Sequence, residues 1–399
     1  MAAYAPARYI DLHALQPIPA SLLNRGEDDD PKTMLLGGAV RAMVSSQAWK
    51  RAMRMMMEED LDEHAARTRM LPLRVADALR ADGWPEELAA FTGAQIARSA
   101  SREGLKTEED QGGITSALLY LPRSILTELV ELCQEHRSDL EEARAEAAAA
   151  ADRPAPKGRN QKTPTVPAVL PTRTVAALIK RRTATINLFG RMLAEIPDAH
   201  VDGAVQVAHA FTVHQSDAQP DYFTAVEDWG DPHGAGSAHL QTAFFTTGVL
   251  YRYATVNLTE LTRNTGDHDQ ALRLLTLFAE TFIESLPQAK KTSTAPHTLP
   301  HLVHYAVRDR RPVSYAAAFE QPVRHAPGGG HTLPAVAALS RHAAAINRLL
   351  GERRRIAHGY ASFQETPVDD LGTLHPSYED LTEALTQAAA LPSPAPAVV

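Results

Sequence analysis

Apolar positions first repeat with a period of two. Ile10, Leu12 and Ala14 alternate with polar residues over Tyr9–Leu15, which predicts a strand with those three on one face, followed by a loop from Pro17 to Pro31 rich in Pro, Asn, Gly and Asp. Over residues 45–57 (SSQAWKRAMRMMM) the period becomes helical, and the acids behind it, Glu58, Glu59, Asp60, Asp62 and Glu63, read as a solvated surface. Helical patterns dominate to about residue 150, over Leu71–Leu79, Pro85–Ala97 and the acidic run Ser124–Ala151, and predict a helical insertion. Residues 153–172 hold five prolines and no acid, which predicts an exposed loop. Strand patterns return at Val205–His214, with Val205, Val207, Phe211 and Val213 on one face, and at Thr246–Leu258, rich in β-branched and aromatic residues. Between them lie about thirty residues full of Gly, Pro and Asp, which predict a long functional loop. Asp269–Leu286 and Val336–Leu350 are amphipathic, Ser377 with Asp380 opens a last helix through S-x-x-D, and LPSPAPAVV reads as a frayed tail.

A chain of 399 residues exceeds one ordinary core and predicts two domains or one domain with large insertions. The one cysteine, Cys133, excludes an intramolecular disulfide and a multi-thiolate zinc site, and fits a reducing compartment. There is no run of 18 apolar residues and no signal-peptide layout at the start, so a cytoplasmic protein without a membrane partner is expected. Lys plus Arg number 40 against 48 Asp plus Glu, a net charge of −8, which on average opposes a polyanionic partner. Position changes that picture. Arg41, Lys50, Arg51 and Arg54 occur without an acid between them, and Arg153–Ala194 holds nine basic residues and no acid. These segments carry +13 and leave −21 for the rest, the footprint of a chain that holds phosphates in one place and repels them elsewhere, although solvated charged faces give the same pattern.

With Ser45 or Ser46 as a cap, Gln47, Lys50, Arg51 and Arg54 share one helix face and Trp49, Met53 and Met56 another. Free N–H groups and the positive dipole end then stand beside three cations, which suits a sugar-phosphate backbone. Tyr222 and Phe223 lie within the long polar loop, where aromatics either stack on bases or cover a small satellite core. Rival chemistry is thin. Asp28–Asp30 read as a solvated turn before a magnesium site, and His297, His301 and His304 are interrupted by Pro300 and lack the acid of H-E-x-x-H. Gly328–Gly330 lacks a preceding strand and a Lys-Ser/Thr ending, no G-x-S-x-G occurs, and an acidic helix disfavours the Cys133 thiolate. No metal, cofactor or catalytic residue is expected.

Six blocks in order carry a resemblance. LNRGEDDDPKTMLLGGAVRAMVSSQAWKRAMR (23–54), LFGRML (188–193), QVAHAFTVHQ (206–215), DYFTAVED (221–228), GSAHLQTAFFTTGVLYRYATVNL (236–258) and AAAFEQPV (316–323) resemble the backbone subunit, CasC, of the type I-E CRISPR Cascade complex, of the Cas-seven family. The resemblance implies an α+β fold. An RRM-like (ferredoxin-like) palm covers 1–57, 175–213 and 246–390, helical fingers with the Pro/basic loop cover 58–174, the thumb loop is 214–245, and 391–399 is a disordered tail. It further implies a non-catalytic subunit in antiviral defence. That subunit binds the guide RNA (crRNA), stacks with copies of itself into a helical filament beside other Cascade subunits, and presents the guide for pairing with target DNA. On the family's motif positions, Arg25, Lys32, Arg41, Ser45, Gln47, Lys50, Arg51 and Arg54 grip the RNA backbone, while Leu188 and Phe223 wedge bases at the displaced position. Two other readings are an RNA-processing endonuclease that uses a histidine on an RRM-like fold, and a protein-only scaffold whose basic segments meet acidic partners.

Overall fold

A computed structural model of the chain describes residues 8–151, 167–226, 237–351 and 355–390. The chain divides into two compact units, one built from Met1–Met57 and Ala204–Val399 and the other from Glu58–Gly203. The first unit starts with β1 (Tyr9–Ser21), β2 (Thr33–Leu36), β3 (Ala39–Val44) and α1 (Ser46–Asp60), whose last residues count with the second unit. The second unit adds β4 (Ala65–Thr68), α2 (Leu71–Ala81), α3 (Glu86–Ser99), β5 (Thr107–Glu108), β6 (Ile114–Thr115), β7 (Leu119–Pro122), α4 (Ile125–Glu135), α5 (Arg137–Ala151), α6 (Thr172–Lys180) and α7 (Ala184–Phe189). The first unit resumes with β8 (Val205–Val207), β9 (Ala210–Thr212), β10 (Gln219–Val226), β11 (Ser237–Asn257), α8 (Leu258–Thr265), α9 (His268–Glu284), α10 (Lys291–Thr294), β12 (Leu302–Arg308), α11 (Thr332–Leu350), β13 (Arg355–Ser362), β14 (Thr373–Leu374) and α12 (Tyr378–Ala390). Among the described residues no helix is long and apolar enough to cross a membrane.

The sheet of the first unit runs β14-β13-β12-β1-β11-β9-β3-β2, with β8 and β10 also on β11. β1 lies between β11 and β12 and is covered on both faces. Ile10, Leu12 and Ala14 share the face of Arg252, which packs on Trp49 of α1 and Phe282 of α9. Leu15 packs on the other face with Val336, Leu339 and Ala343 of α11. Asp11 and His13, the polar half of the alternation, are therefore buried as well. Pairing with β12 stops at Leu15, so beyond it Pro17 and Pro19 take no donor from a strand ladder on that side, and the strand continues to Ser21 where the pattern predicts a loop.

Two further expectations change. The stretch after His214 is not structureless: β10 pairs with β11 from Gln219↔Phe245 to Ala225↔His239 as a two-stranded ribbon, whose residues 227–236 lie outside the described residues. A lone ribbon exposes both faces, so its strands carry none of the alternation that burial of one face imposes. The insertion extends past 174 to Gly203, because Val175, Leu178, Ile179, Leu193, Ile196 and Ala199 belong to the apolar core of α2–α4. Most of the Pro-rich basic stretch, residues 152–166, and the tail 391–399 lie outside the described residues.

Candidate nucleic-acid interface

Ser45 is the cap of α1: its Oγ accepts from Ala48 N–H at 3.3 Å. Its own N–H donates to Asn24 Oδ1 at 2.8 Å, and Ser46 N–H donates to His209 Nδ1 at 2.9 Å. Asn24 also holds the loop that carries the next cations, since its carbonyl accepts from Lys32 N–H at 3.0 Å, and Lys32 O accepts from Met43 N–H at 2.7 Å. Arg25 and Lys32 are both exposed on that loop. Sequence-distant residues thus meet around one helix N-terminus that has no acid in its first turn, a setting that favours an anion.

The roll of α1 is set from below. Trp49, Met53 and Met57 are buried, and the Arg252 guanidinium lies 3.8 Å from the Trp49 ring centre. Arg252 donates to Gln16 Oε1 at 2.6 Å and to Phe282 O, and burial pulls its pKa down to about 9. With that face locked, Gln47 and Arg51 are exposed, and Lys50 and Arg54 half-buried, on the outward side. Arg25 pairs with Asp29 at 2.7 Å, but both are exposed and such a pair contributes little to stability.

Two predicted contacts are corrected by burial. Arg41 is fully buried, and its guanidinium donates to the carbonyls of Thr212 (2.9 Å), Phe319 (3.1 Å) and Glu320 (3.2 Å). It ties β3 to β9 and to the AAAFEQPV block and offers no donor to RNA. Leu188 is also fully buried, on α7, a helix capped by Thr183 Oγ1 and by Glu63, which accepts from Ala184 N–H at 2.8 Å. Glu63 and the buried Glu58 are therefore not the solvated acids expected there. The apolar side chain that LFGRML does expose is Met192, at 85%. Gly190 makes the difference: its φ of +79° ends α7, and a Cβ there would meet Val201 O at 2.8 Å. The turn sends Arg191 inward, where it donates to five carbonyls, those of Ala199, Tyr120, Ile179, Arg181 and Lys180, at 2.8–3.2 Å. Met192 is left outside. With Arg67, Leu118 and Tyr120 it lines an open cleft of about 450 Å³ in the second unit, where the Arg67 guanidinium lies 4.8 Å from the Tyr120 ring centre. The signal for Met192 was the glycine before it.

Phe223 (41% exposed) and Tyr222 (67% exposed) stand on β10 instead of in a loop. As neighbours on a strand they point to opposite faces of the ribbon.

Two residues of the rival sites are buried. His304 is buried opposite His13, and burial holds its pKa at about 3. Burial pushes the Cys133 thiol up to about 12. No group of three or more His, Cys, Asp or Glu side chains among the described residues could hold a metal ion.

Comparison with known proteins places this geometry. The family model of the CT1975-like protein matches residues 10–386. No curated protein matches. A solved structure described as a CRISPR RNA-guided surveillance complex, pre-nicking, holds a chain 38% identical to this one. It superposes with a TM-score of 0.83 over 96% of this chain and 100% of that one. A second, described as a CRISPR RNA-guided surveillance complex, is 34% identical with a TM-score of 0.76, over 95% of this chain and 99% of that one. The chain belongs to the CT1975-like protein family.

Proposed function

We propose that this chain is a non-catalytic backbone subunit of a type I-E CRISPR Cascade surveillance complex and binds the guide RNA by its sugar-phosphate backbone. The observation that carries the reading is the outward face of Gln47, Lys50, Arg51 and Arg54 at a capped helix start, with Arg25 and Lys32 tethered beside it through Asn24. Donors and cations of that kind hold phosphates in register and read no sequence, so specificity is left to base pairing with target DNA. The two similar chains, both from complexes described as RNA-guided, support the reading. In it the sheet unit is the RRM-like palm, the helical unit the fingers and the β10–β11 ribbon the thumb. Copies stack along the RNA as a helical filament in the cytoplasm, beside other Cascade subunits. Phe223 and Met192, apolar and left in water, are the side chains for bases to cover.

The test is to isolate the protein with its operon partners and extract short RNA from the assembly. Lys50→Ala with Arg54→Ala is expected to weaken RNA binding evenly across guide sequences and to lower the salt slope by about 0.7 to 1 per lost phosphate contact. An RNA-free filament, or a changed preference for guide sequence, counts against the reading.

A further inference from the structure

One histidine at the start of α1 serves two sides. His209 ends the connection between β8 and β9, where Ala208 N–H donates to Tyr253 O at 2.9 Å and Ala210 lies opposite Val44 of β3. Continued by one residue, that antiparallel register sets His209 beside the start of α1, and Ser46 N–H donates to its Nδ1 at 2.9 Å. A backbone N–H can only donate, so Nδ1 is the acceptor, and the neutral ring carries its proton on Nε2. That second N–H has no partner among the described residues, and the side chain is exposed. The ring holds the helix start with one nitrogen and presents a fixed donor with the other.

The surroundings decide what that donor meets. No acid occurs from Ala204 to Ser216, nor in the first turn of α1. Ser45, next to the residue that His209 holds, is tied through Asn24 to the loop of Arg25 and Lys32, and Gln47, Lys50 and Arg51 follow along the helix. The donor thus stands on the face whose cations draw in a sugar-phosphate backbone, with no carboxylate of its own segment to satisfy it. A neutral N–H adds nothing to the long-range attraction. It fixes the distance and angle of one oxygen, because a hydrogen bond weakens steeply when either departs from its narrow range.

We propose that His209 is a further guide-RNA contact, whose Nε2–H donates to a backbone oxygen of the RNA, a phosphate or a 2′-hydroxyl. The proposal rests on the reading of the chain as a guide-RNA subunit. Its test is a titration of the full-length protein with a labelled single-stranded RNA at several salt concentrations, for the wild type, His209→Asn and His209→Gln. The asparagine places its amide oxygen near the position of Nδ1 and lacks the outward donor. The glutamine places an amide nitrogen near that of Nε2 and gives up the acceptor for Ser46 N–H. His209→Asn is expected to keep the thermal midpoint and to bind RNA about three- to tenfold more weakly, at an unchanged salt slope because a neutral donor releases no counterion. His209→Gln is expected to melt earlier and yet to bind RNA more tightly than His209→Asn. The reverse order of affinities, which a purely structural histidine would give, overturns the proposal. So does wild-type affinity in His209→Asn, or a lowered salt slope, the mark of a cation contact. The same titration with the 2′-deoxy strand names the oxygen: a phosphate contact leaves the ratio of wild-type to asparagine affinity as it was, and a 2′-hydroxyl contact brings it to one. Lys50→Ala with Arg54→Ala, run alongside, separates the two readings. If that double variant weakens binding and His209→Asn does not, this contact alone fails. If the double variant binds as the wild type does, the cationic guide-RNA face fails, while a loss in His209→Asn still upholds the contact, and a wild-type protein that binds no RNA sinks both.

Discussion

A guanidinium buried without a carboxylate persists only where carbonyl oxygens surround it, and Arg41 has three, from Thr212, Phe319 and Glu320. Burial pulls its pKa down, and the three carbonyls hold its donors in return. Replacing it with methionine keeps most of the stem and strands those carbonyls. Arg41→Met is expected to lower stability by about 2 to 4 kcal/mol in urea unfolding, with RNA per folded molecule unchanged. RNA lost at unaltered stability would sink this assignment and return Arg41 to the interface. The same physics governs Arg191, inside its ring of five carbonyls. Thus two of the 13 charges that drew attention to the basic segments are internal ties. The count could not reveal this, because the partners of Arg41 lie 171 and 278 residues away along the chain.

Strand β11 is one element in two environments, and that governs how much of it is readable. Residues 249–257 are flanked by other strands and mostly buried, so their β-branched and aromatic run announces a strand. Residues 241–245, exposed or half-buried in the ribbon, need no such pattern and read as loop. By contrast the starts of α1 and α12 are legible from the caps Ser45 and Ser377, which accept from Ala48 and Asp380 N–H, and α9 is legible from its apolar stripe. At the junction of the two parts of β11, Gly248 has φ +148°, and a Cβ there would stand 2.4 Å from His214 Nε2. His214 cannot easily yield. It stacks on His331 with ring centres 3.9 Å apart, its Nε2 accepts from Val249 N–H at 3.2 Å, and its Nδ1 donates to Gln215 O at 2.6 Å. Gly248→Ala is expected to cost about 1 to 3 kcal/mol and to speed proteolysis within 219–245. An alanine variant with the wild-type denaturation midpoint and cleavage rate would show that the ribbon root does not depend on this packing.

At the scale of the molecule, alternation predicted the apolar side of β1, but the polar side proved equally buried, and this bears on how the two units respond to acid. Asp11, His13, His304 and His358 lie under α11 with Tyr251 and Tyr315, whereas the core of the second unit, around Val75, Ile96, Leu129 and Ile179, is apolar. Burial holds His13 well below its usual value, His304 at about 3 and His358 at about 4. In the folded chain these rings stay neutral, whereas in the unfolded chain each takes a proton near pH 6.5. Their stabilising contribution is therefore complete above pH 6.5 and is lost as pH falls towards the folded values, about 2 kcal/mol for His304 by pH 5. Asp11 acts in the opposite sense, because burial raises its carboxyl, and this offsets part of the loss. The three rings share one cluster, so their losses overlap rather than add. Differential scanning calorimetry of the full chain at pH 7.5 and pH 5 should then resolve two transitions, of which one falls steeply with acid while the other stays near its place. Two transitions that move together, or a profile flat between these pH values, would mean that the histidine cluster does not set the acid response of the sheet unit.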